Sequence, residues 1–296
     1  MSALPFAATI ASLGLMYVLG ARMFAGARFG IVTAGFFALT PLLWRQSQNG
    51  PAALYTLPFV VGWLLAVAHF QDARTPWWSA VAGGVLGVGV YTSLSAAVMM
   101  PLYLLLTIAV VAHARAVPLR QLGVFLAAFS VAVSPFTVFL FLHPEHFRNT
   151  VNAFHLYDAN RFNVRQGVHE MVSWVGLTAR SEVYYDYFNP AFLFLSGRVL
   201  LLPLVVLVPT GLYQILTDET TPLARLSLGG FLAAPFAASL TAEPPTPGRI
   251  LFITPFAAIV SVYGVQRLLS SWRRVSVPSW KSGDKFSGAR RPAGKA

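Results

Sequence analysis

The residues best suited to chemistry gather between His143 and Arg198, which hold five of the ten acidic residues and four of the six histidines. The run EVYYDYFNPAFLFLSG (182–197) sets Tyr184, Tyr185, Asp186, Tyr187, Phe188 and Asn189 side by side before Pro190. Tyrosine rings with one carboxylate and one amide suit a wall that stacks a sugar and hydrogen-bonds its hydroxyls. The same composition suits an aromatic belt at a membrane surface. His143 and His146 stand three apart around Pro144 and Glu145. That is not the HExxH helix pair, and a proline at 144 disfavours a helical His143. No metal ligand set is assigned to them. The sequence shows no Ser-His-Asp order and no phosphate-cradling P-loop, and the absence of cysteine excludes disulfide and thiolate chemistry.

The elements that position these residues are set by composition. Of the 296 residues 56% are hydrophobic and only 10% charged, against about 25% charged in soluble domains. The mean hydropathy is +0.64. So few charges cannot cover a water-facing surface, and lipid must face much of the chain. Nine apolar stretches approach the 20 or so residues that a spanning helix needs: 3–20, 29–44, 52–70, 77–92, 96–112, 121–142, 199–216, 226–240 and 250–268. The expected fold is an all-α polytopic transmembrane bundle of about nine spans. Residues 1–268 form the membrane domain, 143–198 an extracytoplasmic insertion, and 269–296 a disordered basic cytoplasmic tail. At about 55 residues the insertion is too long for a plain connector. Within it, Val168, Met171, Val172 and Val175 repeat with helical spacing. That predicts an amphipathic helix over 166–177 at the interface, anchored by Trp174.

The links between the stretches differ in charge. The links near 22–28, 71–76, 113–120 and 217–225, with the C-terminal end of the chain, hold about 14 of the 21 Lys and Arg; those near 45–50, 93–95, 143–198 and 241–249 hold about seven. The positive-inside rule makes the first set cytoplasmic, so the N-terminus lies outside and the C-terminus inside. The net charge of +11 then reflects membrane orientation and anionic headgroups along the tail, not nucleic acid. No Asp, Glu, Lys or Arg falls near the middle of a stretch, which argues against a proton-coupled carrier. Gly83 and Gly87 have GxxxG spacing, which favours close helix packing.

Several segments, in order, resemble bacterial polyprenol-phosphate-sugar glycosyltransferases of the GT-C class. That class includes the protein O-mannosyltransferases (glycosyltransferase family 39) and the aminoarabinose transferases. YYDYFNPAFLFLSG followed at once by an apolar stretch is one such segment. LPFAATIASLGLMYVLGARMFAGARFGIVTAGFFALTPLLWRQSQ resembles the family's second and third spans and the short outer link after them. GVGVYTSLSAAVMMPLYLLL, FLFLHPEHF and PTPGRILFITPFAAIVSVYG resemble later pieces, and the whole covers roughly Leu4–Leu268.

The resemblance implies a plasma-membrane enzyme. It would pass a sugar from a polyprenyl-phosphate donor to a protein, lipid or glycan acceptor on the outer face, with a divalent metal (Mg²⁺ or Mn²⁺) as a possible helper. It implies that Arg249, at the entrance of a late span, and Arg45 hold the lipid phosphate. Tyr185, Asp186, Asn189 and Gln46 would contact sugar or acceptor. In the family a carboxylate in the first outer loop serves as general base or binds the metal. The family's first span and that loop would precede the segment matched at Leu4, so the expectation is of a chain shortened at its N-terminus. Asp186 is then the only carboxylate suggested as a base. A flippase or carrier for a lipid-linked substrate, and a non-catalytic membrane subunit, are the alternatives from other classes.

Overall fold

The computed structural model describes residues 3–49, 52–73, 75–114, 118–153, 157, 163–218, 221–241 and 243–276. These form helices and no strand. The first half of the chain contributes α1 (Ala3–Met23), α2 (Ala27–Ala38), α3 (Pro41–Asn49), α4 (Leu57–Ala73), α5 (Pro76–Gly89), α6 (Leu94–His113) and α7 (Leu119–Leu142). Then come α8 (Pro144–Ala153), α9 (Val164–Val172) and α10 (Trp174–Asp186). The chain finishes with α11 (Leu204–Thr217), α12 (Pro222–Ala233), α13 (Phe236–Ser239) and α14 (Ile253–Ser276).

Among the described residues, five helices are long and apolar enough to cross a membrane: 4–23, 54–71, 94–113, 119–142 and 253–272. The stretch expected at 29–44 is a sixth only as a bent pair, because α2 and α3 meet at 55°. Pro41 opens α3, where its missing N–H costs nothing. The remaining three expected spans fall on α5 and α11, each of 14 residues, and on α12, of 12 residues. All nine apolar stretches are thus helical, and the protein is a helical membrane protein.

Two glycine-lined seams hold helices close. A Cβ on Gly83 would stand 2.2 Å from the Phe125 carbonyl oxygen, and one on Gly87 2.5 Å from the Ala132 Cβ, so α5 lies directly on α7. At the second seam a Cβ on Gly211 would meet the Val260 carbonyl oxygen at 1.9 Å, which presses α11 onto α14. The GxxxG spacing therefore serves packing. Close approach also lets Tyr91 reach into α7. Its hydroxyl donates to the Ala132 carbonyl at 2.8 Å and accepts from the Phe136 N–H at 3.2 Å. Those two groups would bond each other in an unbroken helix, and the insertion lies beside Pro135. Further inside, Trp63 and Tyr103 stack at 5.0 Å and are fully buried.

Two boundaries differ from expectation. The amphipathic helix predicted over 166–177 is broken at Ser173, where ψ is 156° and the hydroxyl accepts from the Gly176 N–H at 3.1 Å. A serine N-cap starts a new helix and overrides the continuous apolar period. Val168, Val172, Trp174 and Val175 are nonetheless exposed, as an interfacial face requires. At the other boundary, the tail expected to lose order at 269 continues as α14 to Ser276. Leu268, Leu269 and Trp272, all exposed, extend the apolar character of that helix past the predicted limit. The basic residues from Lys281 onward lie outside the described residues, as do His155 and Asp158. Pro144 does act as predicted: α7 ends at Leu142, and α8 begins at the proline.

Candidate functional site

The links fall at two ends of the bundle. The end carrying α8, α9 and α10 also holds the end of α3, the start of α6 and the segment that leads into α14. The residues PTPGR reach that last point by a 3-10 turn, Pro247–Ile250; Pro247 and the preceding Pro245 fix φ along this approach. Inside this turn stands Arg249. Its guanidinium donates to the Glu243 carboxylate at 2.5 Å and to the Thr241 hydroxyl at 2.8 Å. Both members of the ion pair are partly exposed, at 31% and 39%.

One face of α10, continued by Tyr187 just past its end, holds α12 and the loop that carries Arg249. The Arg180 guanidinium donates to the Leu240 carbonyl at 3.0 Å and to the Gly176 carbonyl at 3.0 Å. The Tyr184 hydroxyl donates to the Leu232 carbonyl at 2.7 Å. The Tyr187 hydroxyl accepts the Thr246 N–H at 3.3 Å. Positions 180, 184 and 187 lie four and three apart, so they share a face. Burial shapes all three. Desolvation lowers the Arg180 pKa and raises those of Tyr184 and Tyr187. For Tyr187 the rise is opposed by the Thr246 hydrogen bond and the Arg249 charge.

Two cavities flank the turn. One, of about 140 Å³, is mostly apolar, with Leu94, Ser95, Val98, Ala238 and Leu240 along its wall and Arg249 and Thr241 as polar members. The first turn of α6 borders it, capped by Ser93, whose hydroxyl accepts from the Ala96 N–H at 3.1 Å. The other cavity, of about 350 Å³, is polar and lies between Arg45, Gln46 and Gln48 of α3, Arg198, and Pro247 and Gly248. Gln46 lies so close to Gly248 that a Cβ there would stand 2.6 Å from its amide nitrogen. Among the described residues neither the Arg45 nor the Arg198 guanidinium has a hydrogen-bond or ion-pair partner. The arrangement suits an amphiphile with an anionic head: an apolar channel, a guanidinium at its rim and two more cations beyond.

The sequence-selected residues divide into two groups. Arg249, Arg45 and Gln46 meet around the Pro247–Ile250 turn. Tyr185, Asp186 and Asn189 line neither cavity. Tyr185 is 70% exposed, with its ring edge-on to Tyr184. The Asn189 side-chain Oδ1 accepts the Ala191 N–H at 2.9 Å and shapes the local turn. Asp186 is exposed at the end of α10. The inward residues of that run are its neighbours Tyr184 and Tyr187. Sequence reasoning missed Arg198, Glu243 and the α10 clamp. The clamp did leave a signal in the 180, 184, 187 spacing. For the divalent ion implied by resemblance, no group of three His, Asp or Glu side chains comes together among the described residues, and no step is derived through one.

No family model matches the chain, and no curated protein matches it.

Proposed function

We propose that this protein is the membrane part of a GT-C-like glycosyltransferase, which binds a polyprenyl-phosphate-linked sugar at the end of the bundle bearing α8–α10. The supporting observation is the placement of Arg249 between an apolar cavity and a polar one that carries Arg45 and Arg198. Prenyl carbons follow the apolar cavity and the phosphate meets Arg249. The sugar lies toward Gln46 and Gln48. Transfer breaks the bond between the sugar's anomeric carbon and the phosphate oxygen as an acceptor hydroxyl attacks that carbon; the hydroxyl proton passes to water, and the polyprenyl phosphate departs. Guanidinium groups offset the charge that collects on the departing phosphate.

Charge bias places this end outside the plasma membrane, with the C-terminus cytoplasmic. In this reading all nine helical segments serve as spans. The acceptor is a protein, lipid or glycan. Because Glu243 holds the Arg249 guanidinium in the ligand-free state, a lipid phosphate must exchange for that carboxylate.

The test is binding of farnesyl phosphate to the full chain in detergent. Arg249→Ala removes a charge-assisted contact and should weaken binding by about tenfold or more. Equal affinity in wild type and variant would sink the assignment.

A further inference from the structure

The polar cavity of about 350 Å³ carries two cations beyond the one that meets the donor phosphate. Arg45 and Arg198 line it and no carboxylate does, and among the described residues neither guanidinium has a hydrogen-bond or ion-pair partner. We infer, resting on the donor site proposed above, that this cavity takes a second anionic group of the donor, next to the phosphate at Arg249. That group is the outer phosphate of a diphosphate link or the carboxylate of an acidic sugar. A neutral sugar satisfies Gln46 and Gln48 through its hydroxyls but covers two cations without a counter-ion, which is costly. The oxygens of a phosphate or carboxylate take guanidinium N–H groups in pairs.

The backbone under both cations is anchored. Leu42 and Leu43 are buried at the start of α3, and the Trp44 indole N–H donates to the Ala38 carbonyl at 2.6 Å. Arg45 and Gln48 stand three apart on that helix and share a face. Arg198 follows Gly197, whose left-handed φ of 61° glycine adopts freely. The Ser196 hydroxyl oxygen accepts the Arg198 N–H at 3.3 Å, and Val199 and Leu200 are buried directly after it. Fixed attachment points lower the cost of ordering the two side chains around a ligand. The order of groups follows from the turn. Gly248 lines the polar cavity and Arg249 the apolar one, and neighbouring Cα atoms stand about 3.8 Å apart. A group bonded to the phosphate at Arg249 therefore enters the polar cavity at once. In the diphosphate case the acceptor oxygen still bonds to the anomeric carbon and its proton still passes to water. The bond from that carbon to the outer phosphate oxygen breaks, and the polyprenyl diphosphate departs.

The experiment titrates the full chain, in a neutral detergent at fixed ionic strength, with two pairs of probes. Farnesyl phosphate and farnesyl diphosphate differ in the outer phosphate. Glucose 1-phosphate and glucuronic acid 1-phosphate, read by displacement of labelled farnesyl phosphate, differ in the carboxylate. The member with the second anionic group should bind about tenfold or more tighter than its pair, and whichever pair shows the gain names the source. Arg45→Gln together with Arg198→Gln should cut the gain to within about twofold, and the milder Arg198→Gln alone to about threefold. Arg249→Ala should weaken both members of the pair alike and leave the gain in place. Arg165→Gln, on α9 and outside the lining, should leave it too. The inference fails if neither pair shows a gain, if the gain survives the double variant, or if Arg165→Gln removes as much of it as Arg198→Gln. Farnesyl phosphate binding without a gain in either pair overturns this inference alone. No farnesyl phosphate binding to the wild-type chain sinks the donor-site reading and this inference with it.

Discussion

Both ends of the bundle carry arginines, and the two ends hold them by different means. At the end opposite α10, partners come from other helices. Arg22 of α1 meets His69 of α4. Arg267 of α14 pairs with Asp218 just past α11 and lies over the Tyr213 ring at 4.9 Å. These contacts staple helices together. At the α10 end the helix grips a loop. Arg180 and Tyr187 take main-chain groups of Leu240 and Thr246 in that loop, and Tyr184 takes the Leu232 carbonyl near the end of α12. The cations Arg45 and Arg198 line a cavity instead. A positioned loop with cations turned to open space is an arrangement for a ligand, whereas a cation joined across helices chiefly contributes to the scaffold.

The largest effect should come from the grip itself. Tyr187 is fully buried and touches the Arg249 loop. Tyr187→Ala should cost about 3–5 kcal/mol, as large-to-small aromatic changes do. Hydrogen exchange should rise over 232–241 and 246–250, while residues 213–217 of α11, at the opposite end, stay protected. Tyr187→Phe keeps the packing and loses one hydrogen bond, so it should cost about 1 kcal/mol. Equal loss at both ends in Tyr187→Ala would mean that α10 supports the whole bundle and not one loop.

Next in size is the pair of cations in the polar cavity. Replacing Arg45 and Arg198 together by alanine should lower affinity for farnesyl phosphate by about tenfold and flatten its dependence on salt. Stability should change little, because neither side chain is joined to another helix. A fall in melting temperature without loss of binding would reverse the roles assigned to the two ends.

How much of this was readable beforehand depends on the kind of signal. Apolar length and composition marked nine stretches, each of which holds a helix, because lipid contact imposes hydrophobicity residue by residue. Helix ends were less legible. Ser173 ended one helix and capped the next through a single hydroxyl, which an average over apolar positions does not see. Pro41 and Pro235 divided stretches that hydropathy alone joins. In the site, resemblance pointed to Arg249, Arg45 and Gln46, which do lie together. It gave no hint of Arg198, because nothing local in RVLLLP reveals that it faces α3 across a cavity. Glu243 stood unremarked in TAEPPTPGR. Its pairing with Arg249 depends on how three prolines (Pro244, Pro245 and Pro247) turn the chain, which sequence spacing does not state. Tyr185 and Asp186 were favoured over Tyr184 and Tyr187 because residue type was visible and helix phase was not used.

Glu243 sharpens the comparison on a smaller scale. Its bond to Arg249 is the one ion pair at the α10 end among the described residues, and both side chains are partly exposed. Glu243→Gln removes the competing carboxylate, so affinity for farnesyl phosphate should rise by about threefold, in keeping with the modest worth of a partly solvated pair. A loss of affinity would mean that Glu243 orients the guanidinium more than it competes for it.

The smallest effect is expected at the other end, from Asp218→Asn. Asp218 is 52% exposed and Arg267 31%. Two charges so placed attract each other through water, and holding both long side chains in one geometry costs entropy. Such pairs contribute about 0–1 kcal/mol. The Tyr213 ring remains beneath the Arg267 guanidinium after the substitution and keeps that side chain near its position. Thermal unfolding should therefore shift by no more than that small energy allows, and farnesyl phosphate binding should not change at all. If Asp218→Asn instead weakened farnesyl phosphate binding, a contact at one end would be setting the geometry of the other. The rigid seam between α11 and α14, where Gly211 meets Val260, would be the route to examine, since Asp218 follows α11 directly and α14 begins beside the Arg249 turn.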